Sequence, residues 1–377
     1  MMETERLNNS AVDLSDFELR VLGREWNERL LQLTQESPVE AGKFRIYFDR
    51  SPDIFAIPQL TSYKYRCLGL FKGDELLGYA FASYQKRYVN RRIADVIYLG
   101  NIHVFRKGLG RVFLRLLSDR LSGIIQKNRE VKYIYAYILE QNIPAMKLSG
   151  HGYFSSRVVS QISMINILLL KAVRLSRTYT IRRAKLADVD SIVELLKEEH
   201  RSRFLAPGMS KEIFVQNLAE RPQFGIENYY LAVSGDDVVG VCSVWDMTAL
   251  KKNRIQTYGP TMRLMRWVYN MVAPILGAAS LPTAGEALKD ITIAEFAVKD
   301  RDPEIMEALL RHVYNHYRKL GYHSIIFGSS SDDPLLKAAG AFLSREVRSN
   351  VILGTLQGFD SQEIISPALI YADAVQI

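Results

Sequence analysis

Gly108 and Gly110 stand two residues apart among three cations, Arg106, Lys107 and Arg111. That pattern suits an anion. Glycine lets backbone N–H groups approach a ligand with no Cβ in the way, and neighbouring cations attract negative charge. Leu109 sits between the glycines. Val112 then opens an apolar spacing, continued by Leu116, Leu117, Leu121, Ile124 and Ile125, that predicts a helix. The first turn of such a helix leaves N–H groups unpaired and aimed at the same point. Upstream, residues 95–104 are rich in Val, Ile and Tyr and predict a buried strand. Strand, basic glycine loop and helix together form a device for holding phosphate. A strand-to-helix turn that uses glycine only to bend would leave the same pattern.

The next elements narrow the choice. Residues 133–139, YIYAYIL, predict a second strand, and Glu140, Gln141, Asn142, Ile143, Pro144 and Ala145 follow it, with Gly152, Tyr153 and Phe154 closing the segment. This order resembles the GNAT superfamily of acyl-CoA-dependent N-acyltransferases. There a strand leads into a loop Q/R-x-x-G-x-G/A and a helix, and the next strand leads into N-x-x-A-x-x-L-Y. Gly108, Gly110, Asn142, Ala145 and Leu148 hold the matching places. Phe105 stands where the family has Gln or Arg, Ser149 where it has Tyr, and the run to the closing glycine is one residue short.

The resemblance implies an α/β fold, with a mixed α+β sheet. It implies acetyl-CoA or another acyl-CoA as co-substrate, and an amine on a small molecule or peptide as acceptor. Transfer would be by direct attack within a ternary complex. The pantetheine arm would pair with the backbone of Ile102 and Val104, and an N–H near Val104 would face the thioester oxygen. The pyrophosphate would sit on Lys107, Gly108, Leu109, Gly110, Arg111 and Val112, with Arg106 beside them and Asn142 and Ala145 on the adjoining segment. For proton transfer the candidates are His103 on the central strand, Glu140 at the end of the next, and Ser149 in the tyrosine slot, with Tyr153 as a substitute. Each also has a plain structural reading: a polar strand residue, a solvated strand end, a helix-end serine, a core tyrosine. The rival function is a non-catalytic acyl-CoA-binding or interaction protein of the same fold. Acceptor-dependent release of free thiol separates the two.

Composition sets the frame. The chain has 377 residues, a net charge of +8 and a pI near 9.2. No Lys/Arg block, helix-turn-helix or zinc pattern points to nucleic acid or a metal, so the charge reads as attraction for an anionic co-substrate. Cys67 and Cys242 form no CxxC pair, which fits a reducing, cytoplasmic setting. The polar N-terminus is not read as a secretory signal. The greasy stretch at 267–281 is shorter than the ~20 residues of a membrane span.

The chain also repeats itself. A helix is expected over residues 13–35, and a hairpin joins 68–71 to 76–83 through Lys72, Gly73, Asp74 and Glu75. VSGDDVVG at 233–240 lies over FKGDELLG at 71–78, an offset of 233 − 71 = 162. Pro334 lies over Pro144 at an offset of 334 − 144 = 190, so an insertion falls between them, at 248–289. Two copies of one α/β unit are expected, 1–173 and 174–377. The second has Lys299, Asp300, Arg301, Asp302, Pro303 and Glu304 where the first has its glycine loop. Carboxylates at a helix start suit the dipole themselves and repel pyrophosphate, so one cofactor site is expected, in the first copy. Glu295 would then support an interface or reach the acceptor. The cations and aromatics of the insertion, among them Lys251, Arg254, Arg263, Arg266 and Trp267, read either as a solvated basic face beside an apolar packing segment or as a lid facing an acidic or amphipathic acceptor.

Overall fold

The computed structural model describes residues 14–40, 44–127, 131–149, 155–355 and 369–376. In the first half, β1 (Glu18–Leu22), α1 (Asn27–Gln35), β2 (Val39–Glu40), β3 (Phe44–Asp49), α2 (Ala56–Thr61), β4 (Lys64–Lys72) and β5 (Glu75–Val89) lead to the central β6 (Arg92–Val104). Then come α3 (Gly110–Lys127), β7 (Val131–Leu139), α4 (Ile143–Ser149) and β8 (Ser155–Leu168). The second half holds β9 (Thr180–Arg183), α5 (Val189–Ser202), α6 (Lys211–Glu220), β10 (Tyr229–Ser234), β11 (Asp237–Trp245), β12 (Lys252–Tyr258) and α7 (Pro260–Leu276). It closes with β13 (Asp290–Val298), α8 (Pro303–Lys319), β14 (Ser324–Ser330) and β15 (Ser344–Thr355).

The repeat is visible in the register. In the hairpin of β4 and β5, Leu70 pairs Gly78 and Phe71 pairs Leu76, a bulge just before the turn. In the hairpin of β10 and β11, Ala232 pairs Gly240 and Val233 pairs Val238. All four positions shift by 162 (232 − 70 = 162). Both turns open on glycine at positive φ, Gly73 at 58° and Gly235 at 61°, the conformation a primed hairpin turn requires there.

One expectation about secondary structure changes. The stretch 14–35 is not one helix. A short turn precedes β1, which pairs antiparallel with β4, and only Asn27–Gln35 is α-helical. The open edge of β4 takes up backbone bonds that helical spacing alone does not foresee. The basic segment 86–92 is mostly strand: β5 and β6 stay paired to Val89 and Arg92, and Asn90 and Arg91 turn the chain at φ 50° and 63°.

The halves share one twelve-stranded sheet, in the order β1-β4-β5-β6-β7-β15-β8-β14-β13-β11-β10-β9. Each half lends its last strand to the other. β15 lies between β7 and β8, and β8 between β15 and β14. In the first half, α3 covers one face through Val112, Phe113 and Leu117, and α1 covers the other above Phe71, Tyr79 and Phe81. The insertion also crosses over: β12 adds to β3 of the first half, where Arg254 Nε meets Asp49 Oδ2 at 2.5 Å.

The inserted α7 is held through its polar side. Arg266 and Asn270 donate to the carbonyls of Pro282 and Leu281, at 2.8 and 3.1 Å. Trp267, Met271 and Ile275 face solvent. Arg263 donates to Tyr258 O and Lys251 to Ala374 O. These cations of the insertion therefore serve its own backbone, Asp49 or the segment 369–376, and Lys252 donates to Ser51 O at 3.1 Å. None lines the groove described next. No described helix is long and apolar enough to cross a membrane.

Candidate active site

β6 and β7 pair in parallel only from Asp95 to Tyr98, against Val131 to Tyr135. Beyond Tyr98 they part, and β7 stays with β15 as far as Leu139. The gap is a groove of about 830 Å³. At its start β6 carries a bulge: Phe81 pairs Gly100 but Tyr79 pairs His103, and Asn101 turns to φ 49°. A bulge re-aims the strand's groups. Phe105 N–H is spent on Leu77 O across β5, at 2.9 Å. Groups alternate along a strand, so Val104 and Ile102 turn their backbone toward the gap.

The loop after β6 closes one end. Gly108 has φ 89°, and a Cβ there would meet open space. Lys107 is exposed, and Arg106 makes an exposed pair with Glu75 at 2.6 Å. Gly110 starts α3, where a Cβ would come within 2.7 Å of Leu148 on α4, so its bareness lets the two helices close together. Phe105 is part-buried against Tyr79, 6.1 Å between rings, and the family's polar residue is replaced here by core packing. Asn142 Oδ1 accepts from Ala145 N at 3.2 Å, an N-cap for α4.

The groove thus brings together Ile102, Val104, Arg106, Lys107, Gly108, Gly110, Asn142, Ala145 and Ser149. Leu109 packs inward with the α3 core, Val112 is buried in it and Arg111 is exposed; these three do not line the groove. Ser149 Oγ donates to Met146 O at 2.8 Å. Glu140 is exposed, its N–H bonded to Arg348 O on β15. His103 points to the α1 face and stacks on Tyr79, 5.0 Å and 17° between rings. Burial, with Arg50 nearby, pushes its pKa down to about 4, so the ring is neutral at pH 7. Tyr153 lies outside the described residues. No cluster of metal-ligating side chains is found among the described residues.

No family model and no curated protein matches the sequence. Solved structures do match. Saccharomyces cerevisiae N-myristoyltransferase with bound myristoyl-CoA aligns over 90% of this chain and 79% of its own, at 14% identity and TM-score 0.59. A GCN5-related N-acetyltransferase from Sphaerobacter thermophilus aligns over 94% and 99%, at 15% identity and TM-score 0.55. A tandem GNAT protein from the clavulanic acid biosynthesis pathway aligns over 91% and 100%, at 11% identity and TM-score 0.56. The chain has the tandem GNAT fold.

The second GNAT unit has the same splay but fills it. β13 and β14 pair only from Asp290 to Thr292. Beyond, Phe296 meets Phe327 with 5.3 Å between rings, and the Arg203 guanidinium lies over Phe296 at 5.2 Å. Arg203 is buried and bonds Glu199 and Asp333, both at 2.5 Å. Glu295 is buried in the same unit, held by Arg221 at 2.8 Å and by Tyr229 OH at 2.5 Å. Arg221 keeps its carboxyl below the ordinary range against the opposing pull of burial. It is a structural ion pair within the second unit.

Some groove and near-groove residues escape a reading by motif. Tyr98, Tyr135 and Tyr137 form an aromatic wall, with rings 5.1 to 5.7 Å apart. The signal was the alternation of Tyr133, Tyr135 and Tyr137, which puts all three on one face of β7. The segment 369–376 packs against this wall: Tyr98 OH donates to Gln376 O at 3.4 Å, and buried Arg87 pairs Asp373 at 2.7 Å. Nothing in the sequence announced it.

Proposed function

We propose that this tandem GNAT protein is an acyl-CoA-dependent N-acyltransferase that acylates an amine of a small molecule or peptide, with acetyl-CoA or a longer acyl-CoA as donor. One observation carries the reading: the first splay is an open groove ending at a basic loop whose Gly108 leaves room for an anion. Backbone N–H groups of that loop and of the α3 start suit pyrophosphate. Ile102 and Val104 offer their backbone to the pantetheine amides, as an edge strand does to an added strand.

In the transfer, a bond forms between the amine nitrogen and the acyl carbon, and the carbon–sulfur bond breaks. The amine gives up a proton and the thiolate takes one. An N–H at the β6 bulge faces the developing oxyanion. His103, neutral and on the acceptor side of β6, is our choice to receive the amine proton; Glu140 stands exposed at the far end of β7. Ser149 borders the groove and can turn from Met146 O toward the sulfur. Much of the rate would come from holding the two reactants together. Cys67 and Cys242 are free and buried, which suits a cytoplasmic enzyme. Offering the full chain a pool of amines with acetyl-CoA and with longer acyl-CoAs tests the reading. Free thiol should appear only when both donor and acceptor are present. CoA binding without any acceptor-dependent release would leave a non-catalytic acyl-CoA-binding protein instead.

A further inference from the structure

Arg50 follows β3, in the turn toward α2. It is 8% exposed, and its Nη1 is buried with no hydrogen-bond partner among the described residues. A buried cation normally keeps a carboxylate. The carboxylates closest in sequence are all engaged elsewhere. Asp49 takes Arg254 at 2.5 Å and Asp53 takes Arg24 at 2.7 Å. Asp373, in the segment packed nearby, takes Arg87 at 2.7 Å. Among the described residues no acid pairs with Arg50. Its electrostatic neighbours are two phenols, Tyr79 and Tyr98, together with His103 and Lys251, whose amine pKa is pushed down to about 7 by burial and the Arg50 charge.

The place of this guanidinium matters more than its isolation. Arg50 borders a small cavity of about 10 Å³, lined also by Tyr98, Gly100 and Asn101. Those three residues line the large groove as well. The cavity therefore adjoins the inner end of the groove, at the β6 bulge, on the face that carries His103 and Tyr79. The pyrophosphate loop lies at the other end of the groove. On the acyl-transfer reading, a reactant entering at the bulge from the α1 face would meet the acyl carbon on one side and a buried positive charge on the other.

We propose that Arg50 receives a carboxylate of the acceptor, carried a few bonds from the amine that is acylated, as in a free α-amino acid. This rests on the acyl-transfer reading of the groove. The guanidinium is planar and matches a carboxylate two oxygens at a time. The cavity alone has room for about one water, so the carboxylate would sit at the edge the cavity shares with the groove, beside Tyr98, Gly100 and Asn101. A water in the same space would satisfy Nη1 but would not balance the charge. The acceptor's carboxylate does both, and it fixes the amine against the bulge.

The test uses the full-length protein, its CoA complex, and the variants Arg50→Met and Arg50→Lys. The twenty L-α-amino acids and their α-amides are offered with acetyl-CoA and a longer acyl-CoA, and thiol release is followed. For at least one amino acid, kcat/KM should exceed that of its amide by 100-fold or more. Arg50→Met should remove that preference by raising KM for the acid, with the amide unaffected, and Arg50→Lys should restore part of it. A second measurement is independent of turnover: calorimetric binding of N-acetyl-L-amino acids to the CoA complex. Wild type should bind at least one of them, and Arg50→Met should weaken this by 10-fold or more in a protein of unchanged melting temperature. If folded Arg50→Met binds the N-acetyl acids as wild type does, or if acids and amides suffer equally, the assignment of Arg50 is overturned. If the N-acetyl acids bind through Arg50 but no amine ever releases thiol, the carboxylate site stands and the acyl-transfer reading falls.

Discussion

The two splays of the sheet have the same origin and opposite fates. In each unit the central strand leaves its parallel neighbour after a few pairs, at Tyr98 in the first and at Thr292 in the second. The first gap stays open and ends at a glycine loop. The second is packed with Phe296, Phe327 and the buried Arg203, which two carboxylates hold. Its loop is a tight turn at Lys299–Arg301 with Asp300 and Arg301 at positive φ. Asp302 caps α8 with its own side chain, accepting from Glu304 N at 2.8 Å. A splayed sheet is therefore not by itself a ligand site. It becomes one when nothing inside the protein fills the gap and the helix start is left for an outside anion. Where the chain supplies its own cation and its own cap, the same geometry serves stability.

The largest expected effect is at the open loop. Gly108→Glu puts a carboxylate into the space we propose for pyrophosphate, on a residue held at positive φ. CoA affinity should fall by 100-fold or more, read by calorimetry, while circular dichroism stays unchanged. Unaltered affinity in the folded variant would mean the loop does not hold the anion.

Next comes the filled splay. Arg203→Met leaves Glu199 and Asp333 buried without their main partner. Breaking such a pair costs about 3–5 kcal/mol. Urea unfolding should show that loss, while CoA affinity stays within about twofold of wild type. A variant of wild-type stability would show that the plug contributes nothing to holding the second unit.

A smaller effect is expected at His103. His103→Gln should lower kcat by about 10–100-fold with little change in KM for acyl-CoA, if this ring takes the amine proton. Its depressed pKa also fixes a stability signature. Between pH 6.5 and about 4 the unfolded chain binds a proton on this ring and the folded chain does not. Stability from His103 is therefore complete above pH 6.5 and is lost as pH falls through that window. His103→Phe should flatten this part of the curve, by about 1–2 kcal/mol between pH 7 and 4.5. An equal slope in wild type and variant would place the ring in open solvent.

Much of this comparison was legible in the sequence. The glycine loop, the strands around it, the two GD hairpins and the acidic replacement at 299–304 all rest on local chemistry: turn residues, helix starts and period-two apolar runs. What stayed hidden is what distant segments do to one another. No residue in β8 or β15 says that each completes the other unit's sheet. β1 carries helix-like spacing and becomes a strand because the edge of β4 is there to pair with. Arg50 and Arg203 are single arginines in unremarkable stretches. Arg50 has no acidic partner among the described residues and borders the small cavity beside the groove, Arg203 is the plug of the second splay, and only packing distinguishes them. The insertion misled for a related reason. Its cations allowed a surface for an acceptor, but they are consumed by carbonyls of Ser51, Tyr258, Leu281, Pro282, Gly285, Ala374 and Val375 and by Asp49.

The central claim is that one splay binds acyl-CoA and the other does not. Calorimetric titration of the full chain with CoA tests it most directly. The account predicts a stoichiometry of one CoA per chain, abolished by Gly108→Glu and kept by Arg203→Met. Two CoA per chain, or a single site that survives Gly108→Glu and is lost when Arg301 is replaced, would contradict it.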